Sequence, residues 1–521
     1  MSEVEYVVTL KKDVDYAQFN QDMIASTGAG DIPNRTVDVA NARPGSARNT
    51  HYMLTEAEAD ALKNDSRVLD VDLRPQDIPD IILEPYARYE GTFLKGTSDS
   101  GNYIDWGKRR HSQTIETQSW SNTLIGGYDY NLDGEGVDVV ISDSGLQVDH
   151  PEFTDAYGIS RVQLINWYTE SGLSGFQNAN HYRDYDGHGT HCAGTAVGKT
   201  FGWGKNARIF SVKVNGLEGS GDSGTGISIS DCWDVIKLWH RNKPIDPRTG
   251  KKRPTIVNAS WGYSRGYGTA TSLIYRGTTY SSSNDSSFSS RTHLRDTYGL
   301  YNYYAGFGYR APLRVTSVDT DVDELIDEGV HVCIAAGNNS FKVDIAGGDD
   351  YNNLLFYSGG SMYYHRGSSP YSTNAFMVGS LLSQTGTGDN KVGFSTCGPG
   401  VNIYAAGNNI VSSCSTTTRF GNTPYYGNSS FKQTTISGTS MASPQICGIG
   451  ALYLQANPML TPAQLKDMIH KDSSETMEAG SLTGYGDTND AMGGPRRVAV
   501  SRYNKFIPYT NTLSGKYSIR S

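Results

Sequence analysis

The chain has 521 residues with a formal net charge of -9, from 45 basic and 54 acidic side chains, and this length exceeds what one ordinary hydrophobic core organises. No block of lysine and arginine suits phosphate binding, which argues against a nucleic-acid partner. No apolar run approaches the roughly 20 residues of a membrane-spanning helix, and the N-terminus lacks a secretory signal, so we expect synthesis in the cytoplasm without membrane insertion.

Residues 1–77 are predicted to form a small separate unit. Alternating apolar positions predict four strands, and helical periodicity predicts two helices between them. The strands are 5–10, 36–40, 51–55 and 68–73, and the helices are 15–26 and 56–65. The order βαββαβ is typical of a ferredoxin-like α+β fold. Residues 78–103 lose this periodicity and contain prolines and a glycine and serine run, which predicts a linker.

Residues 104–521 are predicted as a second domain in which apolar strands alternate with helical stretches. That alternation indicates a mostly parallel α/β sheet. The clearest strands are 137–142, 207–214, 255–260, 330–336, 375–379 and 401–406. Two stretches rich in Tyr, Ser and Gly, 263–319 and 340–368, have little periodicity and are predicted as loop insertions.

Three segments each place a reactive side chain beside small residues. Asp143 follows the strand VVIS, His188 is the second residue of GHGTHCAG, and Ser440 lies in SGTSMASP. Alone, each has an ordinary interpretation: Asp143 as a turn former, His188 with His191 as metal ligands, and Ser440 as a helix N-cap. Their combination is what predicts chemistry.

Together, these segments resemble the three signature motifs of the subtilases, in that family's order of Asp, His and Ser. WGKRRHS (106–112) and Cys192 beside the histidine motif are similar to the proteinase K branch. The resemblance implies a subtilisin-like three-layer α/β fold and a serine endopeptidase. An α/β-hydrolase does not fit, because its nucleophile lies in Gly-x-Ser-x-Gly and precedes the acid and the histidine.

The resemblance also implies a division of catalytic roles. Ser440 is the expected nucleophile, His188 the base that takes its proton, and Asp143 the group that orients and stabilises the imidazole. Asn338, in IAAGNN, matches the asparagine that stabilises the oxyanion in this family.

Substrate is expected to bind as an extended peptide that adds strands to exposed edges. Nine residues in three segments resemble the family's binding segments: Gly219, Ser220, Gly221, Ser260, Trp261, Gly262, Ala335, Ala336 and Gly337. Trp261 either narrows the first pocket or covers the core. Gln445 stands where the family commonly has a histidine that packs rather than reacts.

No cofactor is expected for catalysis, and the sequence assigns no residue as a metal ligand. A structural calcium ion stays open, although Asn402 stands where the proteinase K branch has a carboxylate ligand. The six cysteines are widely spaced, without a C-x-x-C pair, and most are predicted to be small buried residues; disulfides stay open.

The N-terminal unit resembles the inhibitor-type prodomain of subtilases. This implies a proenzyme in which residues 1–77 inhibit the catalytic domain intramolecularly and the linker contains an autoprocessing site. The alternative is a silent or self-processing structural component of a larger particle such as a virion, with the insertions contacting an assembly partner.

Overall fold

The computed structural model describes residues 2–11, 13–25, 35–42, 48–73, 91–95, 106–114, 126–217, 219, 225–229, 231–300, 310–383, 388–477, 485 and 490–508. The chain divides into two compact units, Met1–Tyr86 and Ala87–Ser521. Among the described residues, no helix is long and apolar enough to cross a membrane.

The N-terminal unit has four strands and two helices. They are β1 (Val4–Leu10), α1 (Tyr16–Ile24), β2 (Val39–Asn41), β3 (Asn49–Leu54), α2 (Glu56–Leu62) and β4 (Val68–Leu73). The sheet is antiparallel with the strand order β2-β3-β1-β4, the ferredoxin-like topology that the sequence predicts. Thr55 and Glu58 form a capping box that starts α2, and Phe19, Tyr52 and Leu62 lie in the unit's own core.

The second unit contains the remaining strands and helices. Its strands are β5 (Gly91–Lys95), β6 (Gly126–Tyr130), β7 (Asp138–Asp143), β8 (Arg208–Lys213), β9 (Ile245–Asp246), β10 (Lys251–Lys252), β11 (Thr255–Ala259), β12 (Ser264–Gly266), β13 (Ala270–Tyr275), β14 (Thr278–Tyr280), β15 (Arg310–Pro312), β16 (His331–Ala335), β17 (Leu354–Tyr357), β18 (Gly360–Tyr363), β19 (Phe376–Leu381), β20 (Ile403–Ala406), β21 (Ile410–Cys414), β22 (Thr423–Tyr425), β23 (Asn428–Ile436) and β24 (Asn504–Pro508). Its helices are α3 (Trp106–Arg110), α4 (Trp167–Ser171), α5 (His188–Val197), α6 (Cys232–Asn242), α7 (Arg291–Tyr298), α8 (Thr316–Asp327), α9 (Thr439–Ala456) and α10 (Pro462–Asp472), with a short 3-10 turn at Pro151–Phe153.

Six strands form a parallel central sheet in the order β20-β19-β16-β11-β7-β8. They are the six strands that the sequence predicts, with ends shifted by one or two residues. Strand β7 reads DVVISD and every residue of it is buried. A continuous apolar run of this kind is typical of a parallel strand that is covered on both faces.

Helices cover this sheet in two groups, which gives the three-layer arrangement expected from the sequence. Helices α5 and α9 pack on each other and on the sheet, and α4, α6 and α8 pack together as the other group. Helix α9 is buried over Thr439–Leu454. Its apolar side chains surround it on all sides, because it lies inside the domain instead of on its surface.

The two predicted insertions are not separate irregular loops. Strands β13 and β14 of the first insertion and β17 and β18 of the second form one antiparallel sheet in the order β14-β13-β17-β18. An aromatic core common to both, separate from the main core, contains Tyr267, Tyr298, Leu355 and Tyr364. The sequence did not predict these strands, because pairing between segments about 80 residues apart leaves no local signal. That the two stretches are insertions stays a prediction.

Only residues 91–95 of the predicted linker are described, and the expected processing site otherwise lies outside the described residues. These five residues form β5, which pairs with β6, and β6 also pairs with β24. This part of the linker is thus a strand of the second unit.

A buried ion pair fixes helix α3 within the second unit. Arg110 donates from Nε and Nη2 to the two carboxylate oxygens of Asp389, both at 2.6 Å. The two side chains are 0% and 2% exposed. Ser474 and Thr476 accept further hydrogen bonds from this guanidinium, so α3 is joined to two distant segments.

We expect Asp389→Asn to lower the free energy of unfolding by about 3 kcal/mol, because it leaves the Arg110 charge buried without a counter-charge. Urea unfolding followed by tryptophan fluorescence measures this loss. Glu328→Gln is the matched control, since Glu328 pairs with Arg241 at an exposed position and should cost less than about 1 kcal/mol. Equal losses in the two variants would contradict the assignment.

Candidate active site

Asp143 and His188 meet where strand β7 ends and helix α5 begins. The Nδ1 atom of His188 lies 2.8 Å from Oδ1 of Asp143. The Asp143 side chain is 1% exposed and the imidazole is 18% exposed. A side chain at Gly189 would overlap with the carbonyl oxygen of Gly145, so only glycine lets α5 approach the end of β7 this closely.

The electrostatics of this pair favour a proton on His188. Burial alone lowers the pKa of the imidazole, but the interactions with the Asp143 carboxylate and with Cys192 together raise that pKa well above its ordinary value. Burial raises the pKa of the neighbouring Cys192 thiol to about 11, so Cys192 is neutral at physiological pH. All six cysteines are buried and free, as predicted for most of them.

Ser440 lies in the first turn of α9 and is 8% exposed. Its Oγ donates to the carbonyl oxygen of Ser260 at 3.1 Å, and among the described contacts it has no hydrogen bond to His188. Such catalytic hydrogen bonds often tighten only when substrate is bound.

The backbone carbonyl of Ser440 is held in an unusual way. Pro444 lies four residues later inside α9 and has no N–H to donate to it. Ser260 Oγ donates to this carbonyl at 3.0 Å instead, and Cys192 Sγ donates at 3.3 Å. The side chains of two other elements therefore fix the turn that carries Ser440.

The side-chain amide of Asn338 is held by the first residue of α9. Its Oδ1 accepts from the backbone N and from Oγ1 of Thr439, at 2.8 and 2.9 Å, which fixes the direction of its amide. A methyl group at Gly438 would lie 3.4 Å from Asn338 Nδ2 and 3.6 Å from the backbone N of Ser440. Both donors thus border the same space, which suits a negatively charged oxygen.

The predicted substrate-binding residues are only partly described, since Ser220 and Gly221 lie outside the described residues. A side chain at Gly219 would lie 2.8 Å from the backbone N of Asp186, close to the segment that leads to His188. Trp261 stacks on Trp233, with ring centroids 5.8 Å apart, and its Nε1 donates to Ser142 Oγ at 3.3 Å. These are the contacts of a side chain that covers the core.

The other predicted binding residues follow β11 and β16, next to Ser440 and Asn338. Ala335 and Ala336 are buried, and the backbone N of Gly337 donates to Thr439 Oγ1 at 3.1 Å. Gly262 is exposed, and a side chain there would lie 2.8 Å from Ser368 Oγ, at the end of the second insertion.

Two residues that differ from the family pattern, Gln445 and Asn402, have clear structural roles. Gln445 Oε1 accepts from Trp203 Nε1 at 2.7 Å and from the buried Lys108 Nζ at 3.0 Å, so it packs without contacting the reacting groups. Asn402 donates to the carbonyl oxygen of Ala375 and accepts from the backbone N of Met377. Its side chain therefore links backbone groups of the chain at the position where a calcium carboxylate was considered.

Comparison with known proteins agrees with this geometry. The model of the Subtilase family matches residues 134–488, which is more than half of the chain and includes Asp143, His188, Asn338 and Ser440. The chain belongs to the subtilase family. The sequence prediction of a subtilisin-like serine peptidase is thereby confirmed, and the alternative of a silent assembly component is not favoured.

Two similar relatives are themselves named as proteases. An extracellular serine proteinase of a Thermus species is 27% identical over 66% of this chain and 56% of its own length. A cuticle-degrading serine protease of Arthrobotrys oligospora is 26% identical over 76% of this chain and 68% of its own length. A solved cold-adapted subtilisin-like serine proteinase aligns with 25% identity and a TM-score of 0.45, over 77% of this chain and 98% of its own.

Sequence reasoning missed Asp184, a buried carboxylate of this subtilase that joins the two sides of the Asp143–His188 pair. Its Oδ1 accepts from Ser144 Oγ and from the backbone N of Gly187, at 2.9 and 2.7 Å. Its Oδ2 accepts from the backbone N and Oγ1 of Thr190, at 2.9 and 2.6 Å. Its only sequence signal is its position four residues before His188, and the polar segment around it does not predict a buried side chain.

We expect Asp184→Asn to destabilise the protein by about 3 kcal/mol, since the new amide N–H groups would face buried donors. Urea unfolding measures the loss. Asp186→Asn is the control, because Asp186 pairs with an exposed arginine, Arg419, and should cost less than about 1 kcal/mol. A loss of the same size in both variants would show that Asp184 does not organise this region.

Proposed function

We propose that this subtilase hydrolyses peptide bonds with Asp143, His188 and Ser440 as its catalytic triad. The observation that carries the proposal is the 2.8 Å hydrogen bond between the buried Asp143 carboxylate and His188. This bond leaves Nε2 of the imidazole as the atom that can take a proton. Ser440 then attacks the scissile carbonyl carbon as its hydroxyl proton passes to His188.

Attack converts the carbonyl oxygen into an oxyanion that needs donors already in place. Asn338 Nδ2 and the backbone N of Ser440 supply them, and α9 adds the positive end of its dipole. In subtilisin, loss of the asparagine donor lowers turnover by a factor of about 10² to 10³, and we expect a loss of the same size when the Asn338 amide is removed.

Collapse of the intermediate expels the amine, which receives its proton from the His188 imidazolium. Asp143 stabilises that cation without taking the proton. Water then attacks the acyl-enzyme, with His188 as base again, and releases Ser440. The segments around Gly219, Ser260–Gly262 and Ala335–Gly337 are proposed to hold the polypeptide substrate as an added strand.

We further propose that the protein is made as a proenzyme whose N-terminal unit is an intramolecular inhibitor. Support comes from its compactness as a separate unit and from its ferredoxin-like topology, which resembles the inhibitor-type prodomain. Cleavage between residues 78 and 103 would release it. A strand that is already paired, β5, would then remain with the catalytic domain if the cut precedes Gly91.

We expect a fluorophosphonate probe to label the wild type and Ser430→Ala, and to leave Ser440→Ala unlabelled. Ser430 is an exposed serine on β23 and serves as the matched control. Intact-mass analysis of the same proteins should show self-cleavage within residues 78–103 in the wild type and an uncut Ser440→Ala chain. Labelling of Ser440→Ala would contradict the triad, and an uncut but labelled wild type would contradict only the proenzyme.

The pH dependence of kcat/KM should follow His188, because only the neutral imidazole can accept the Ser440 proton. Asp143 raises the pKa of His188 well above its ordinary value of about 6.5, so activity should be lost as the pH falls through that raised pKa. Initial rates on a fluorogenic peptide between about pH 5 and about pH 10 measure the midpoint of this loss, because the range extends to both sides of the ordinary imidazole pKa. A midpoint at or below about 6.5 would contradict this assignment.

A further inference from the structure

An open cleft of about 410 Å³ lies at the edge of the central sheet opposite to the triad. Asp138, which lines it, begins β7, whereas the catalytic Asp143 ends the same strand. Five residue steps of about 3.3 Å separate them, so the cleft is about 17 Å from the triad. Neither the proposed mechanism nor the proposed inhibition uses this cleft.

The floor of the cleft is aromatic and its rim is apolar. Phe210 and Trp239 are both 4% exposed, and their ring centroids lie 4.6 Å apart. Ile165 borders them, and Ile245 on the rim is 54% exposed, which is high for a large apolar side chain. This surface suits an aromatic or branched apolar group.

A buried acceptor and an exposed donor lie side by side at one end of the floor. Asp138 and Arg208 are register partners on the neighbouring parallel strands β7 and β8, so their side chains leave the same face. Oδ2 of Asp138 accepts from Lys243 Nζ at 3.0 Å, while its buried Oδ1 has no partner among the described residues. The Arg208 guanidinium has no ion pair or hydrogen bond to any residue that the structure describes.

The cleft also has more cationic groups than its acids balance near Arg208. Arg253 lies 2.8 Å from Asp246, whereas Arg248 pairs with both Asp246 and Glu135, so among the described residues Arg208 is the guanidinium without a carboxylate of its own. Burial and the nearby Arg208 lower the pKa of Arg253, and Asp138 and Asp246 do not fully offset them. Glu170 on the rim is exposed and adds one diffuse negative charge. An added carboxylate would be favoured here.

We propose that this cleft binds the C-terminal residue of a peptide whose last side chain is aromatic or branched apolar. The terminal carboxylate pairs with Arg208, the amide N–H of the same residue donates to Asp138 Oδ1, and the side chain lies on Trp239 and Phe210. Neighbouring strands are about 4.8 Å apart, and the amide nitrogen and carboxylate of one residue are separated by a single carbon, so one residue reaches both groups. A simple anion would leave Asp138 unsatisfied, and a cation would leave Arg208 unsatisfied.

The test is isothermal titration of the full chain carrying Ser440→Ala, which prevents hydrolysis of the ligands. N-acetyl-L-phenylalanine should bind with a dissociation constant of about 1 mM, the value expected of a ligand of about 15 non-hydrogen atoms. 3-Phenylpropionate lacks the N–H, and N-acetyl-L-phenylalaninamide lacks the carboxylate. Each should bind about tenfold more weakly.

Arg208→Gln should weaken N-acetyl-L-phenylalanine about tenfold, and Arg241→Gln should leave it unchanged. Arg241 is the matched control, an exposed arginine on the neighbouring helix α6 that does not line the cleft. No binding, equal binding of either analogue, or an unchanged constant in Arg208→Gln would each overturn the proposal. The last result would place the ligand elsewhere, for example in the triad cleft.

Discussion

The close contact between Gly189 and the carbonyl oxygen of Gly145 is the constraint on which the proposed catalytic centre depends. It sets the separation between the end of β7 and the start of α5, and that separation decides whether Asp143 can reach His188. Asp184 holds the same junction together, because its carboxylate accepts hydrogen bonds from Ser144, next to β7, and from Thr190, in α5. Asp143, His188, Gly145 and Gly189 are therefore held in fixed relative positions before any substrate binds.

Ser440, the third residue of the proposed triad, is joined to this region by hydrogen bonds to its backbone carbonyl. Because Pro444 cannot donate to the carbonyl of Ser440, that oxygen is free to accept from Ser260 and Cys192. Cys192 belongs to the helix of His188, and Ser260 follows the sheet strand β11. Because the helical hydrogen bond is missing, the Ser440 carbonyl is available to link α9 to α5 and to the end of β11.

The sequence was sufficient to predict the six central strands, because buried parallel strands are continuous apolar runs. Its three motifs also predicted Asp143, His188 and Ser440 through their resemblance to a family pattern, and the structure brings Asp143 and His188 within hydrogen-bond distance. Asp184 could not be found in this way, since its neighbours are polar and only the fold buries it. The pairing of β13 with β17 was equally hidden. The cleft beside Asp138 needs strands β7 and β8 in register, which local patterns do not encode.

The common aromatic core makes the two insertions depend on each other for their stability. One insertion follows the segment Ser260–Gly262 and the other follows Asn338, yet both supply side chains to one hydrophobic cluster, such as Leu273 from the first and Leu355 from the second. Loss of either segment alone would expose the aromatic face of the other to water and invite aggregation. The two segments therefore have to be deleted or exchanged together in any redesign of this domain, although they lie far apart in the sequence.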